Sequence, residues 1–117
     1  MNFKKLTQSF RHAFVGLKIV FKEEQNFRIE AAAAVIALGA AWFLGIRGSE
    51  AAALILMILI VLVLELINSV FERLSDLVKP RMSHYVKEVK DIMAGAVLIA
   101  AVSAVILGLV IFLPHFR

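Results

Sequence analysis

Three long apolar runs constrain this chain more than any other feature of its sequence. They cover residues 31–46, 51–71 and 92–114, and the second run contains a single charged residue, Glu65. A membrane-spanning helix needs about 20 apolar residues at a rise of about 1.5 Å per residue. Backbone groups in lipid must bond within their own segment, which selects helices here. The sequence predicts an all-α membrane protein with three transmembrane helices, at residues 29–46, 50–73 and 89–113. It also predicts Ser49 as the N-cap of the second span and a break at Lys79-Pro80 before the third.

The composition leads to the same conclusion. Of the 117 residues, 62% are hydrophobic, which is more than a small soluble domain can bury. The length allows one domain, which we assign to residues 1–117. The chain has no cysteine, and this excludes disulfides and thiolate metal sites. The net charge of +4 fits an anionic membrane surface, and we expect no nucleic-acid partner.

A different kind of helix is predicted before the spans, over residues 1–26. Apolar side chains recur there at steps of three or four and form one narrow stripe, flanked by basic residues. The members of this apolar stripe are Phe3, Leu6, Phe10, Phe14, Leu17 and Phe21. The pattern is typical of an amphipathic surface helix lying in the membrane interface. The alternative is a bundle helix that packs its stripe on the three spans.

The distribution of Lys and Arg predicts the orientation. Residues 1–28 carry six of them and residues 73–90 carry five, whereas the other two connections carry only Arg47 and Arg117. The positive-inside rule therefore places the N-terminus and the second loop in the cytoplasm, and the first loop and the C-terminus outside.

A polar ridge, defined as Glu65, Asn68, Ser69, Glu72 and Asp76, runs along the second span. Asn68 flanks the ridge, and the other four residues lie within about 40° of one line on a helix. Carboxylates aligned in this way repel one another, so the ridge suggests a missing cation. Oxygen ligands of this kind suit Mg²⁺, which keeps waters and phosphate oxygens in its shell. The alternatives are a structural hydrogen bond between helices for Glu65 and a solvated helix end for the rest.

Further charged residues lie at the same predicted depth, namely Glu23, Glu24, Glu30, Lys90 and Asp91. Carboxylates, Mg²⁺ and a lysine at a membrane surface fit phosphoryl transfer from a nucleotide to a lipid alcohol, with a carboxylate as the base. The chain has neither the phosphate-binding loop of nucleotide hydrolases nor the protein-kinase signatures. A proton-coupled transporter that uses Glu65 is the rival function, and a subunit without chemistry is a third. Transporters place their sites near the midplane, whereas these carboxylates cluster at one interface.

Four segments resemble a known family. Residues 65–72 (E-L-I-N-S-V-F-E), with Asp76, resemble the E-x-x-N-[ST]-A-I-E-x-x-x-D signature of the small prokaryotic diacylglycerol kinases, a family that includes undecaprenol kinases. Residues 90–98 resemble its K-D-x-x-[AS]-[GA]-A-V-L block, residues 24–28 its E-x-x-[FM]-R block and residues 16–17 its G-L pair. The resemblance covers essentially the whole chain, and the combination of blocks in this order is specific.

The resemblance implies a homotrimer of three-span subunits in the bacterial inner membrane, using Mg-ATP to phosphorylate a membrane alcohol. It implies that Glu65 is the catalytic base and that Asn68 also belongs to the catalytic site. It implies that Glu24 and Glu72 are the metal ligands and that Glu30 and Glu65 lie at the lipid substrate. The nucleotide-binding residues that it implies are Glu24, Glu72, Lys90, Asp91 and His12. It assigns no role to Asp76.

This sequence departs from the family pattern at a few positions. Val70 and Phe71 replace the usual Ala-Ile pair, and Ser75 stands where an apolar residue is common. His12 occupies a place where an aromatic hydroxyl contacts the nucleotide in some members. Gln-Asn after Glu24 is common in undecaprenol kinases, whereas Glu30 is often His in them. Diacylglycerol and undecaprenol therefore both remain candidate substrates.

Overall fold

The computed structural model describes residues 2–78 and 83–116. They form four α-helices and a short final 3-10 helix over Leu113–Phe116. The α-helices are α1 (Phe3–Glu23), α2 (Gln25–Leu44), α3 (Ser49–Val78) and α4 (Ser83–Phe112). Three helical stretches are long and apolar enough to cross a membrane, namely Gln25–Leu44, Ser49–Val78 and His84–Phe116. The prediction of an all-α protein with three candidate spans is confirmed. The break predicted at Lys79-Pro80 lies outside the described residues.

The junction between α1 and α2 is a single residue, Glu24, in an extended conformation with φ −107° and ψ 108°. The Asn2 side chain caps the start of α1 by accepting hydrogen bonds from the backbone N–H groups of Lys4 and Lys5, at 3.0 and 3.2 Å. At the other end of α1, Arg28 of α2 donates to the carbonyls of Phe21 and Lys22, at 2.7 and 2.8 Å. These bonds satisfy carbonyls that the helix end would otherwise leave free.

The turn between α2 and α3 satisfies its own backbone. Gly45 is left-handed with φ 72°, its N–H donates to the Trp42 carbonyl, and the Ile46 N–H donates to the Ala41 carbonyl. This is a Schellman ending, which glycine allows because it has no Cβ. Ser49, which the sequence suggested as the N-cap of α3, is instead its first helical residue. The carbonyl of Gly48, one position earlier, accepts the bond from the Ala52 N–H at 3.0 Å.

The three spans run back and forth, so the bundle has a Gly48 end, at the α2–α3 turn, and a Glu24 end, at the α1–α2 junction. The most extensive packing is between α3 and α4, and α2 packs on α3. The core of buried apolar side chains lies at the Gly48 end and consists of Ala41, Ile46, Leu54 and Ile111. Large apolar side chains elsewhere on the spans face outward, including Trp42, Phe43 and Ile92.

The apolar stripe of α1 is exposed along its whole length in the single chain. The interfacial position of this helix stays a prediction. The helix also ends at Glu23, three residues before the predicted end of the surface helix. In α3 the helix continues to Val78, five residues beyond the predicted membrane segment. Hydropathy marks where apolar surface stops, and a helix can continue past that point into water.

Candidate functional site

A pocket of about 580 Å³ opens at the Glu24 end, among α2, α3 and α4. We call it the polar pocket. Residues far apart in the sequence meet here, because α3 returns to the end where α2 began and α4 starts from the same end. Its polar lining residues are Asn26, Glu30, Glu65, Asn68, Glu72, Lys90 and Asp91. Six of these seven are residues that the sequence singled out, and Asn26 is the seventh.

Two carboxylates from different helices are buried in this pocket. Glu65 of α3 is only 1% exposed, which makes it one of the most deeply buried side chains described. The Oε2 atoms of Glu65 and of Glu30, on α2, are buried without a hydrogen-bond partner among the described residues. A buried polar atom without a partner costs free energy, and such atoms in native proteins usually have a functional explanation. The Glu30 and Glu65 side chains also lie close enough to interact with each other across the two helices.

Asn68 and Glu72 line the same wall, one turn apart on α3. The Asn68 amide donates from Nδ2 to Oε1 of Glu72 at 3.3 Å. This hydrogen bond holds one oxygen of the Glu72 carboxylate against Asn68, and the other carboxylate oxygen takes no part in it. The helix spacing of the ridge thus brings a base candidate, an amide and a second carboxylate to one surface.

Glu24 reaches α3 from the α1–α2 junction. Its Oε1 accepts a hydrogen bond from the Ser69 hydroxyl at 3.2 Å, and Ser69 is only 2% exposed. Arg73 donates to the Ser69 hydroxyl and forms an ion pair with Glu23, and its Nη1 lies 3.6 Å from Oε1 of Glu24. Glu24 does not itself line the polar pocket. Its partner Ser69 directly follows Asn68, so Glu24 is held next to the pocket wall.

The α4 side of the pocket carries charge of both signs. Lys90 and Asp91 line the pocket, and Asp91 also accepts a hydrogen bond from Nζ of Lys87 at 2.9 Å. The other two residues singled out by the sequence lie elsewhere. His12 is exposed on α1 and is not part of the pocket lining, and Asp76 is exposed near the end of α3. Asp76 has an interaction partner.

The carboxylate oxygens of the site fit a metal ion whose remaining ligands are phosphate oxygens. Within the described part of the chain, no group of three or more His, Cys, Asp or Glu side chains could hold a metal ion by itself. Mg²⁺ commonly binds through one or two carboxylates, while waters and substrate phosphates complete its shell. Glu72 is bonded to Asn68 and Glu24 to Ser69, the next residue of α3, so these two carboxylates match a site of this kind.

Sequence reasoning missed Arg73, and it assigned no role to Glu23 or Asn26. Arg73 follows Glu72 directly, and its i, i+4 spacing from Ser69 was a signal that could have been used. Its reach to Glu23 and Glu24 depends on how the junction packs against α3. No single-helix pattern contains that information.

Fold and site together define an integral membrane protein with a charged pocket at one end of three spans. The family model of prokaryotic diacylglycerol kinase matches residues 11–112. A diacylglycerol kinase of Synechocystis sp. is 38% identical over 93% of this chain and 63% of the relative. An undecaprenol kinase of Bacillus subtilis is 36% identical over 92% of this chain and 87% of the relative. A diacylglycerol kinase of Escherichia coli is 27% identical over 97% of this chain and 93% of the relative.

The chain therefore belongs to the prokaryotic diacylglycerol kinase family, a family of lipid kinases. It spans 63% of the length of the Synechocystis relative, less than two thirds, and most of the length of the other two. The family resemblance inferred from the four sequence segments is confirmed. The three apolar helices and the bacterial relatives indicate an integral membrane protein.

Proposed function

We propose that the protein transfers the γ-phosphoryl group of ATP to a membrane lipid alcohol in the polar pocket. The observation that carries this proposal is the pair of buried carboxylate oxygens, on Glu30 and Glu65, that share a pocket with Lys90 and Asp91. The lipid is diacylglycerol, giving phosphatidic acid, or undecaprenol, giving undecaprenyl phosphate. Both alcohols appear in the names of relatives at similar identity.

Glu65 is the proposed base. It takes the proton of the lipid hydroxyl while that oxygen forms a bond to the γ-phosphorus, and the bond to the β–γ bridging oxygen breaks to release ADP. General-base catalysis of this kind contributes roughly 10²–10⁴ in rate. Asn68, one turn further along α3, orients the reacting groups, and Glu30 holds the lipid hydroxyl from the α2 side. Both assignments use side chains that line the same pocket.

The nucleotide needs positive charge around its phosphates, because phosphoryl transfer depends mainly on positioning and charge neutralisation. Lys90 supplies a cation from α4, and Asp91 contacts the nucleotide beside it. Mg²⁺ bound by Glu24 and Glu72 would neutralise further phosphate charge. His12 would contact the nucleotide from α1, which requires the nucleotide to extend from the pocket toward that helix.

An apolar groove of about 280 Å³ continues from the polar pocket toward the Gly48 end, and Glu30 and Ala101 line both cavities. Alanines of α2 and α4, together with Gly108, form part of the groove wall, larger apolar side chains of α3 form the rest, and Phe112 lies at the far end. A hydrocarbon chain fits such a surface because small side chains leave room and expose no polar atoms. The continuity of the two cavities supports a lipid whose hydroxyl lies at Glu65 and whose chain follows the groove.

The site faces the cytoplasm of a bacterial inner membrane in this proposal, since the cytoplasm contains ATP. Reporter fusions at Gly48 and after the C-terminus should both read outside, and one at Lys79 should read inside. The exposed stripe of α1 then lies in the cytoplasmic interface, with its basic flank toward lipid head groups. A cytoplasmic C-terminus would contradict the three-span arrangement.

A homotrimer is the proposed assembly. One chain offers three spans and one further helix around a nucleotide and a lipid, and its polar pocket is open on one side. Cyclic packing would place a neighbour's helices over each pocket and repeat the site in every interface. Chemical crosslinking in detergent should then give products of two and three subunits and none that are larger.

The deciding experiment is a phosphoryl-transfer assay of purified protein with radiolabelled ATP. Diacylglycerol and undecaprenol are supplied separately in mixed micelles, and a labelled lipid phosphate should form with at least one of them. ATP consumption without added alcohol should be at background. A proton-coupled transporter would form no labelled lipid, and a structural subunit would consume no ATP. Glu65 and the other charged residues lie at one end of the spans, which favours the kinase over the transporter.

A further inference from the structure

Arg73 occupies the centre of a contact network that joins α3 to the α1–α2 junction. Its guanidinium donates to the Ser69 hydroxyl, forms an ion pair with Glu23, and lies 3.6 Å from Glu24. A second, weaker bond runs from Nη1 to the Ser69 carbonyl at 3.4 Å. The network thus holds both acidic residues of the junction against one turn of α3.

The hydrogen bonds in this network have a fixed direction. A guanidinium can only donate, so the Ser69 oxygen accepts from Arg73. The hydroxyl proton of Ser69 is then directed at Oε1 of Glu24, at 3.2 Å. A serine hydroxyl is otherwise free to rotate and can donate elsewhere. Arg73 therefore fixes the orientation of the donor that holds the Glu24 carboxylate.

Glu24 depends on such side-chain contacts more than the other carboxylates of the site do. It lies in the extended junction between two helices, so no helical turn on both sides fixes its direction. Glu65 and Glu72, by contrast, lie within α3 and have helical turns on both sides. One oxygen of Glu24 is occupied by Ser69, which leaves its other oxygen for a ligand.

The position of Arg73 separates two possible roles. A guanidinium bonded directly to Glu24 would compete with a metal ion for that carboxylate. The Nη1 atom of Arg73 is 3.6 Å from Oε1 of Glu24, beyond hydrogen-bond length, while the close contacts go to Ser69 and Glu23. The arrangement resembles metal sites in which an outer partner orients a ligand, where losing that partner typically costs 10–100-fold in metal affinity.

We infer that Arg73 is a positioning residue that sets the affinity of the site for its divalent cation, acting through Ser69 on Glu24. This inference rests on the proposed function, because it takes Glu24 to be a metal ligand. The effect is on metal binding rather than on the chemical step, since Arg73 does not line the polar pocket.

The test uses the full chain in detergent with a non-hydrolysable ATP analogue and Mn²⁺ as the probe. Free Mn²⁺ is measured by electron paramagnetic resonance, and the Mg²⁺ dependence of lipid phosphorylation is measured in parallel. Arg73→Gln should raise the Mn²⁺ dissociation constant about ten-fold or more. The kcat at saturating Mg²⁺ should change much less than the half-saturating Mg²⁺ concentration, because only ground-state metal binding is lost.

Four further variants test whether Arg73 acts on Glu24 through Ser69. Ser69→Ala should give a similar shift, because it removes the directed hydroxyl. Arg73→Lys should give a smaller one, since an ammonium keeps the charge but has no planar fork. Glu23→Gln should shift affinity at most about five-fold, because both side chains of that pair are substantially exposed. Arg47→Gln, the same substitution at the Gly48 end, is the matched control and should bind Mn²⁺ as the parent does.

The inference is overturned if folded Arg73→Gln binds Mn²⁺ as tightly as the parent does. It is also overturned if the variant binds Mn²⁺ more tightly, which would show that Arg73 competes with the metal ion for Glu24. If Arg73→Gln loses its helical circular dichroism, Ser69→Ala decides, and an unchanged affinity there overturns the inference equally. Glu24→Gln separates the two proposals. If it abolishes Mn²⁺ binding while Arg73→Gln does not weaken it, only the positioning role fails. If Glu24→Gln binds Mn²⁺ normally, the metal role of Glu24 fails and the inference fails with it.

Discussion

The two ends of this helix bundle are built on different physical principles. At the Gly48 end, Ala41, Ile46, Leu54 and Ile111 pack together, and the turn satisfies its own backbone through a Schellman ending. At the Glu24 end, buried positions are taken by Glu65 and Ser69, and two carboxylate oxygens have no partner among the described residues. One end is arranged for packing, and the other carries groups that stability alone would not favour.

The difference shows where the molecule tolerates a free-energy cost. A charged residue near the centre of a membrane helix costs about 3 kcal/mol on insertion scales, and such residues usually serve a function. Glu65 keeps that cost low by lying toward the Glu24 end, beside Asn68. The apolar end supplies helix packing without any such cost. Substitutions at the two ends should therefore separate catalysis from stability.

The largest expected effect is that of Glu65→Gln. The amide keeps the shape and the hydrogen-bonding capacity of the side chain but cannot accept the hydroxyl proton. We expect kcat to fall by about 10² or more while the KM for ATP changes little. The matched control is Glu50→Gln, an exposed position in the first turn of α3 at the Gly48 end, which should keep parental kinetics. A near-normal kcat for Glu65→Gln would leave Glu65 a structural role.

A smaller effect is expected from Glu72→Gln. The glutamine oxygen can still accept the bond from Asn68, but the ligand loses its negative charge. The Mg²⁺ concentration for half-maximal activity should rise about ten-fold, because a carboxylate is a preferred ligand of this ion. Titration of activity with Mg²⁺ at saturating ATP measures it. A titration that coincides with the parent's would show that Glu72 does not bind the metal.

A third experiment asks whether the Glu24 end is complete within one chain. Inactive Glu24→Ala and Glu65→Ala proteins are unfolded together and co-refolded. If each site takes Glu24 from one subunit and Glu65 from its neighbour, random mixing leaves about one quarter of the sites intact. Activity would then return to that fraction of the parent. The bond between Glu24 and Ser69 of the same chain instead predicts a site within one chain and no activity, even in mixed trimers identified with two affinity tags.

The smallest effect on activity is expected from the Gly48 end. Ile111 is 3% exposed in the apolar core, so Ile111→Ala should destabilise the protein by about 2 kcal/mol or more through the cavity it leaves. The activity per folded molecule should stay close to the parent's, because the site lies at the opposite end. Val110→Ala, on the exposed face of the same turn, is the control for thermal unfolding in detergent. A large loss of kcat in folded Ile111→Ala would show that the two ends are coupled.

Much of this arrangement could be predicted from the sequence because it repeats along single helices. Hydropathy gave the three spans, and the spacing of Glu65, Asn68 and Glu72 placed them on one wall of a pocket. Lys90 and Glu30 could be placed at the same depth from the order of the spans. Whether these residues have the roles proposed for them stays a prediction.

The features that sequence reasoning missed depend on contacts between helices. The sequence placed the end of the surface helix at residue 26, because no glycine or proline marks Glu24. The extended backbone of Glu24 coincides with the bond to Ser69, which is 45 residues away. No basic residue lies on the line of the ridge itself, so the sequence indicated a missing cation. Arg73 lies off that line and reaches across to Glu23. Such pairings are set by tertiary packing, which local periodicity does not encode.

The single-residue junction at Glu24 has a consequence for how this chain can evolve. An α-helix turns by about 100° per residue, so the number of residues between the apolar stripe and Glu24 determines the direction in which the stripe faces. One residue inserted after Phe21 would rotate the whole stripe about the α1 axis by that angle while Glu24 kept its bond to Ser69. Substitutions along α1 preserve this angular relation, whereas insertions and deletions destroy it. A substitution in α1 therefore leaves the direction of the stripe unchanged, whereas a change in the length of α1 does not.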